Sequence, residues 1–235
     1  MIYLEINVLA TGSTGNCYRV SDGTTAILIE CGIKYAEIVR GLNYRITEIG
    51  TVLISHHHKD HALCAVELAK CGFDLIMPPE TAYNLCLENT PNVYTPEPGK
   101  QCLVGTLAVV PFALSHVNSD GSECPCYGYL IGSVRTGEKL LFATDTAYIK
   151  NRFKGLTHAM IEVNYIESIM DEENIPEVEK RRIKSHMSLE TAIEFLKTTN
   201  GKLEELYAIH GSKTRCDKEI VRRELTPYAK KVIVP

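Results

Sequence analysis

The sequence predicts an α/β protein whose β-sheets carry helices on their outer faces. Two observations predict it. Short apolar, β-branched runs alternate in both halves of the chain with segments of helical spacing. Those apolar runs end repeatedly in polar blocks, and strand ends are where α/β folds gather functional side chains. The 235 residues are enough to bury a core without disulfides or a structural metal. No repeat, low-complexity tract or Gly/Ser linker divides them, so residues 1–235 are expected to form a single domain.

Strands are expected over residues 3–9, 17–20 and 26–29, with Asp22-Gly23 as the hairpin turn between the last two. Residues 35–42 read as a short helix and residues 51–55 as a buried strand that stops at a polar block. Residues 62–71 have helical spacing and end at Gly72, a suitable C-cap. A strand over 74–77 and a helix over 79–89 follow. In the second half, strands are expected over 107–114, 127–133, 139–143, 159–163, 206–209 and 231–234. Helices are expected over 189–198 and 217–228, and the charged stretch 171–184 reads as a solvated helix or lid.

Composition narrows the function. The net charge of -4 draws the protein neither to nucleic acid nor to anionic membrane, so a polyanion must be held by a local patch or by metal ions. Nine cysteines lie scattered, with no C-x-x-C pair to suggest a zinc ribbon or a thioredoxin motif. Cys124 and Cys126 flank Pro125 too closely for an ordinary disulfide. Free thiols of a reducing compartment are the simpler reading. The first ten residues lack the charged start and long apolar run of a signal peptide, and no stretch approaches the ~18 apolar residues of a membrane span. A cytoplasmic protein with no membrane partner is expected.

The chemistry concentrates in Ser55-His56-His57-His58-Lys59-Asp60-His61. This block follows a buried strand that can fix its position. His56 and His58 are two apart and can point the same way from a loop, while Asp60 and His61 turn with the start of a helix toward a second point. Imidazole and carboxylate donors at this density suit zinc, and also manganese, iron or nickel. A pair of histidines alone would more often be an inert surface loop; four potential ligands in six residues are not so easily dismissed. One loop cannot close two coordination spheres, so further ligands must come from elsewhere. His116, Asp145 and His210 each follow an apolar run. Singly, such residues usually have a hydrogen-bonded structural role; together with the histidine block they complete a site.

His56-x-His58-x-Asp60-His61, followed in order by His116, Asp145 and His210, resembles the signature of the metallo-β-lactamase fold superfamily. The loop Gly12-Ser13-Thr14-Gly15-Asn16, the segment Glu162-Val163-Asn164-Tyr165 and the segment from Arg182-Ile183 to His186-Met187-Ser188 resemble the YycJ/WalJ branch. The tRNase Z-like phosphodiesterases share the same logic. The resemblance implies a four-layer αββα sandwich, two mixed sheets face to face with helices outside. It implies two divalent metal ions, zinc first among them. His56, His58 and His116 would hold one ion, Asp60, His61 and His210 the other, with Asp145 bridging and a hydroxide between the ions as nucleophile. Asp60 would also orient that hydroxide. His186 would protonate the leaving oxygen, held in the correct tautomer by Glu162. The competing assignment makes His186 the last ligand and His210 its supporter.

The implied activity is a phosphodiesterase cleaving nucleic acid or a nucleotide. Cyclic nucleotides are the alternative small substrates, and carboxylic esters, lactones or thioesters the alternative class. A metal-binding interaction module is a non-enzymatic alternative, which the complete ligand set disfavours. Relatives are often homodimers. Ser13, Thr14, Asn16, Asn164 and Arg182 are candidate substrate contacts. Arg181, Lys184, Lys213 and Arg215 add basic charge near the site, and Tyr127, Tyr129, Tyr148 and Tyr165 are candidates for base stacking. Two departures stand out: Glu30 replaces the usual Asp, and residues 119–125 lengthen the loop after His116.

Overall fold

The computed structural model describes residues 3–118, 120–172, 175–199 and 201–235. One sheet holds β1 (Glu5–Ala10), β2 (Cys17–Ser21), β3 (Ala26–Ile29), β4 (Ile49–Leu53), β5 (Asp74–Ile76) and β6 (Val93–Tyr94) in that order. Its first three strands pair antiparallel and the rest parallel. The other sheet holds β7 (Cys102–Val104), β8 (Leu107–Val117), β9 (Glu123–Ser133), β10 (Lys139–Ala143), β11 (His158–Glu162), β12 (Leu203–Ile209) and β13 (Ala229–Ile233). Here β7 to β10 pair antiparallel and β10 to β13 parallel.

The inner parallel strands are largely apolar because both of their faces are covered, whereas the edge strand β13 exposes Lys230 and Lys231. In β3, Ile27 and Ile29 join the core between the sheets, whereas Ala26 and Leu28 face outward. In β12, Tyr207 and Ile209 point inward while Leu206 and Ala208 point outward. The outer face of the first sheet packs against Ile38 of α1 (Tyr35–Gly41), Leu68 of α3 (Ala65–Lys70) and Ala82 of α4 (Pro79–Asn84). The outer face of the second packs against Phe195 of α7 (Leu189–Leu196) and Val221 of α8 (Lys218–Leu225). The result is the expected αββα sandwich.

A polar clamp joins the two sheets. Asp22, in the β2–β3 turn, accepts from the Thr24 and Thr25 amides through Oδ1, both at 3.0 Å. Its Oδ2 accepts from Thr106 Oγ1 at 2.7 Å and Ser133 Oγ at 2.8 Å, both on the opposing sheet's side. Burial pushes this carboxyl up, but the bonds from Thr25, Thr106, Ser133 and Thr24 outweigh it and hold it at about 2.

Some element boundaries depart from the sequence expectation. The helix expected over 62–71 is split into α2 (Lys59–Ala62) and α3. Residues 123–125 are strand rather than loop: Ser115, His116 and Val117 pair with Pro125, Cys124 and Glu123. The charged stretch forms α5 (Glu167–Glu172) and α6 (Glu177–Ile183), with residues 173 and 174 outside the described residues. None of the nine cysteines is in a disulfide. Among the described residues, no helix is long and apolar enough to cross a membrane.

Candidate metal centre

Strand ends deliver the side chains. Glu30 follows β3, Asp145 lies just beyond β10 and His210 follows β12, and all three take left-handed backbone angles, with φ of 62°, 51° and 55°. Non-glycine residues avoid this region, at a cost of about 1–3 kcal/mol each, unless the surroundings enforce it. The histidine block arrives from β4, and its last residues form α2. Gly32 passes directly beneath that helix: a Cβ there would lie 1.7 Å from the Asp60 carbonyl oxygen.

Asn16 laces these pieces together. Its amide nitrogen donates to Asp60 O and its side chain to the carbonyls of Gly12 and Asp60, while its Oδ1 accepts from Gly12 N and Tyr18 OH. Asn16 is therefore buried with its amide fully engaged, not presented to a ligand as the opening loop suggested.

The donors converge. His56, His58 and His116 each offer a donor atom within 4.8 Å of the others, and so do Asp60, His61 and His210. His56, His61 and Asp145 form an overlapping set by the same measure. His58 Nε2 donates to Asn118 Oδ1 at 2.9 Å, which leaves its Nδ1 as the lone pair, 3.3 Å from His116 Nε2. His56 Nδ1 lies 2.9 Å from Ser55 Oγ, and its Nε2 is fully buried without a partner. A buried imidazole nitrogen with nothing to bond is costly, and a cation among these rings would satisfy it. Asp145 Oδ2 lies 3.0 Å from His61 Nε2 and 3.8 Å from His210 Nε2, while its Oδ1 lies 3.9 Å from His116 Nε2. Asp145 thus stands between the two triads, and the residues fit divalent cations.

Behind them stands a ring of supporting groups. Glu30 Oε2 accepts from Ser55 N, and its Oε1 lies 3.4 Å from His61 Nδ1, so the longer side chain still supports the histidine block. Glu162 is completely buried. Its Oε1 lies 2.7 Å from His186 Nδ1 and 2.9 Å from His210 Nδ1, and its Oε2 accepts from the Thr146 and Met187 amides. Of the two histidines, His210 turns its second nitrogen toward Asp60, at 3.4 Å. The contact of His186 with Asp145 runs through the same Nδ1 that meets Glu162.

Charge divides along the same lines. Burial pushes His56 well below its ordinary range, with the His61 charge adding to it, and burial likewise takes His116 down to about 4. These rings are neutral donors. Burial also disfavours the charged forms of His61 and His210, but Asp145 with Glu30 holds His61 well up, and Asp145, Asp60 and Glu162 push His210 up to about 10. The carboxylates thus demand positive charge at the second triad, from protons or from cations.

The site opens into a cleft of about 370 Å³ whose walls include Ser13, Asn164, Arg182, His186 and Arg215. Asn164 also donates to His210 O at 2.9 Å. Thr14 does not line the cleft, and neither do Arg181, Lys184 and Lys213. Arg215 pairs with Glu179 at 3.2 Å. Tyr127, Tyr129 and Tyr165 are core residues, and only Tyr148 of the four tyrosines is exposed. Asn118, and Thr11, which accepts from His210 N through its hydroxyl, were not among the candidate site residues, because each acts by holding a histidine through a contact with a distant segment.

With this geometry, the chain belongs to the β-lactamase superfamily domain family, whose profile matches residues 25–210, and it is a metallo-β-lactamase fold protein. It is similar to the exodeoxyribonuclease WalJ of Streptococcus pneumoniae serotype 2, at 25% identity over 93% of this chain and 86% of WalJ. Among solved structures it resembles the metallo-β-lactamase fold protein YhfI of Bacillus subtilis, with a TM-score of 0.74 at 14% identity over 99% of this chain and 95% of YhfI. The short form of human tRNase Z superposes with a TM-score of 0.67 at 15% identity, over 98% of this chain and 95% of that one.

Proposed function

We propose that the protein is a metal-dependent hydrolase that cleaves phosphodiesters of nucleic acid. His56, His58 and His116 would hold one divalent ion and Asp60, His61 and His210 a second, with Asp145 shared. Zinc suits this nitrogen and oxygen set best. Divalent ions in such a pair lower the pKa of water toward neutrality and offset phosphoryl charge in the transition state.

The observation that carries the phosphodiester reading is the Glu162–His186 pair, at 2.7 Å, on the wall of the metal cleft. Glu162 fixes His186 with Nδ1 as donor and favours its protonated form: burial works against the charge, but the carboxylate outweighs it and raises the ring above its ordinary value. The remaining Nε2–H is then available to protonate an alkoxide leaving group. Activated esters and lactones have little need of such an acid. Arg182, on the same wall, supplies charge for a non-bridging phosphate oxygen. The nuclease name of the similar WalJ supports nucleic acid as the substrate. The modest cleft and the net charge of -4 favour a second, smaller substrate class, the cyclic nucleotides.

The test is a panel run on the purified, metal-loaded protein: linear duplex and single-stranded DNA, RNA, cyclic mononucleotides, bis-p-nitrophenyl phosphate, and carboxylic esters and lactones. Phosphodiester turnover is expected. Turnover confined to esters or lactones would overturn the reading.

A further inference from the structure

Two donors beside the metal centre take no part in the function above. His57 sits between the clustered His56 and His58, and its Nδ1 lies 3.8 Å from Cys124 Sγ. Cys124 is buried on β9, directly across the hairpin from His116. The His57 and His58 ring centroids are 5.1 Å apart. One donor atom each from His57, His58 and Cys124 falls within 4.8 Å of the others.

The sulfur–nitrogen separation is close to the roughly 3.6 Å spanned by bonds of about 2.3 and 2.1 Å at a tetrahedral ion. A thiolate changes the selectivity: the neighbouring nitrogen and oxygen set accepts many divalent ions, whereas sulfur favours thiophilic ones. Access exists as well. Cys124 lines a second cleft, of about 710 Å³, that meets the metal centre at His116, Val117 and Ser185. Glu80, Glu97 and Glu123 stand around that cleft and raise the local concentration of cations.

We propose that His57, Cys124 and His58 form a further metal site, selective for thiophilic cations of the Zn²⁺ and Cd²⁺ class. Binding forms a sulfur–metal bond and releases the thiol proton to solvent. It also has a consequence for the first triad. His58 Nδ1 faces His116 and its Nε2 is held by Asn118, so ligating another ion through either nitrogen breaks one of those contacts. The site is therefore inhibitory, a consequence that rests on the function proposed above.

Titration of the full-length protein with Cd²⁺, followed by ultraviolet absorption, tests the site without reference to turnover. A sulfur-to-metal charge-transfer band is expected in the wild type. It should vanish in Cys124→Ser and His57→Ala and persist in Cys71→Ser and Cys86→Ser, which remove two exposed thiols. An undiminished band in Cys124→Ser, or no band in the wild type at saturating Cd²⁺, would overturn the proposal. In the activity arm, excess Cd²⁺ should inhibit the wild type at a concentration about tenfold lower than Cys124→Ser. Equal inhibition would refute the inhibitory role. A preparation that shows the band but cleaves no phosphodiester would retain the site and reject the function.

Discussion

His186 Nδ1 lies 2.7 Å from Glu162 Oε1, and that carboxylate has no freedom to turn away, because His210 and two backbone amides occupy the rest of it. The imidazole is thereby fixed in both tautomer and direction. Replacing His186 with Ala should lower kcat on DNA by about 10²–10⁴, the usual contribution of a positioned general acid. The loss should be much smaller for a p-nitrophenyl leaving group, which departs without protonation. Steady-state kinetics on both substrates, with metal content measured in parallel, checks this. Equal losses on both would remove His186 from the acid's role.

Asn118 lines the metal cleft and holds His58, and its side-chain amide nitrogen donates to Ser122 Oγ and Glu123 O. The turn after His116 therefore serves as a strut for a metal-facing ring. Asn118→Ala should weaken binding of one metal equivalent by about 10–100-fold, the range found when a histidine ligand loses its partner. Competition with a chromophoric chelator measures this directly, and Asn118→Asp, which keeps the acceptor, should restore most of the affinity.

Asp22 gives the fold an acid-sensitive clamp. Its folded value of about 2 lies below the ordinary 3.8, so its stabilisation is fully present above about pH 4 and fades as the pH falls toward 2. Unfolding in urea should show Asp22→Asn to be less stable than the wild type at neutral pH, by on the order of 1–2 kcal/mol. The gap should close near pH 2. A gap of the same size at both pH values would exclude the linkage.

The layers were legible in the sequence because many strands read as apolar runs, and Asp145 and His210 stand just beyond two of them, whereas His116 lies within the antiparallel strand β8. What was not legible depends on contacts between distant segments. The break between α2 and α3 is stabilised by a bond from Cys64 N to Cys31 O, which local spacing does not encode. Pro125 read as loop, yet it sits opposite Ser115 within the β8–β9 ladder. Asn16 stood in a glycine-rich loop of the kind that meets ligands, and its burial follows from the Asp60 carbonyl, 44 positions away, that it satisfies. The left-handed turns at Asp145 and His210 are invisible locally, since neither is a glycine.

Asp145 stands between the two triads, so the whole site depends on it. Elemental analysis of the wild type and Asp145→Ala, each purified identically and shown to be folded by circular dichroism, tests the central claim most directly. The wild type should carry a pair of divalent ions per chain, and the variant should lose most of that metal along with its hydrolytic activity. A folded Asp145→Ala protein with undiminished metal content would contradict the convergent binuclear site.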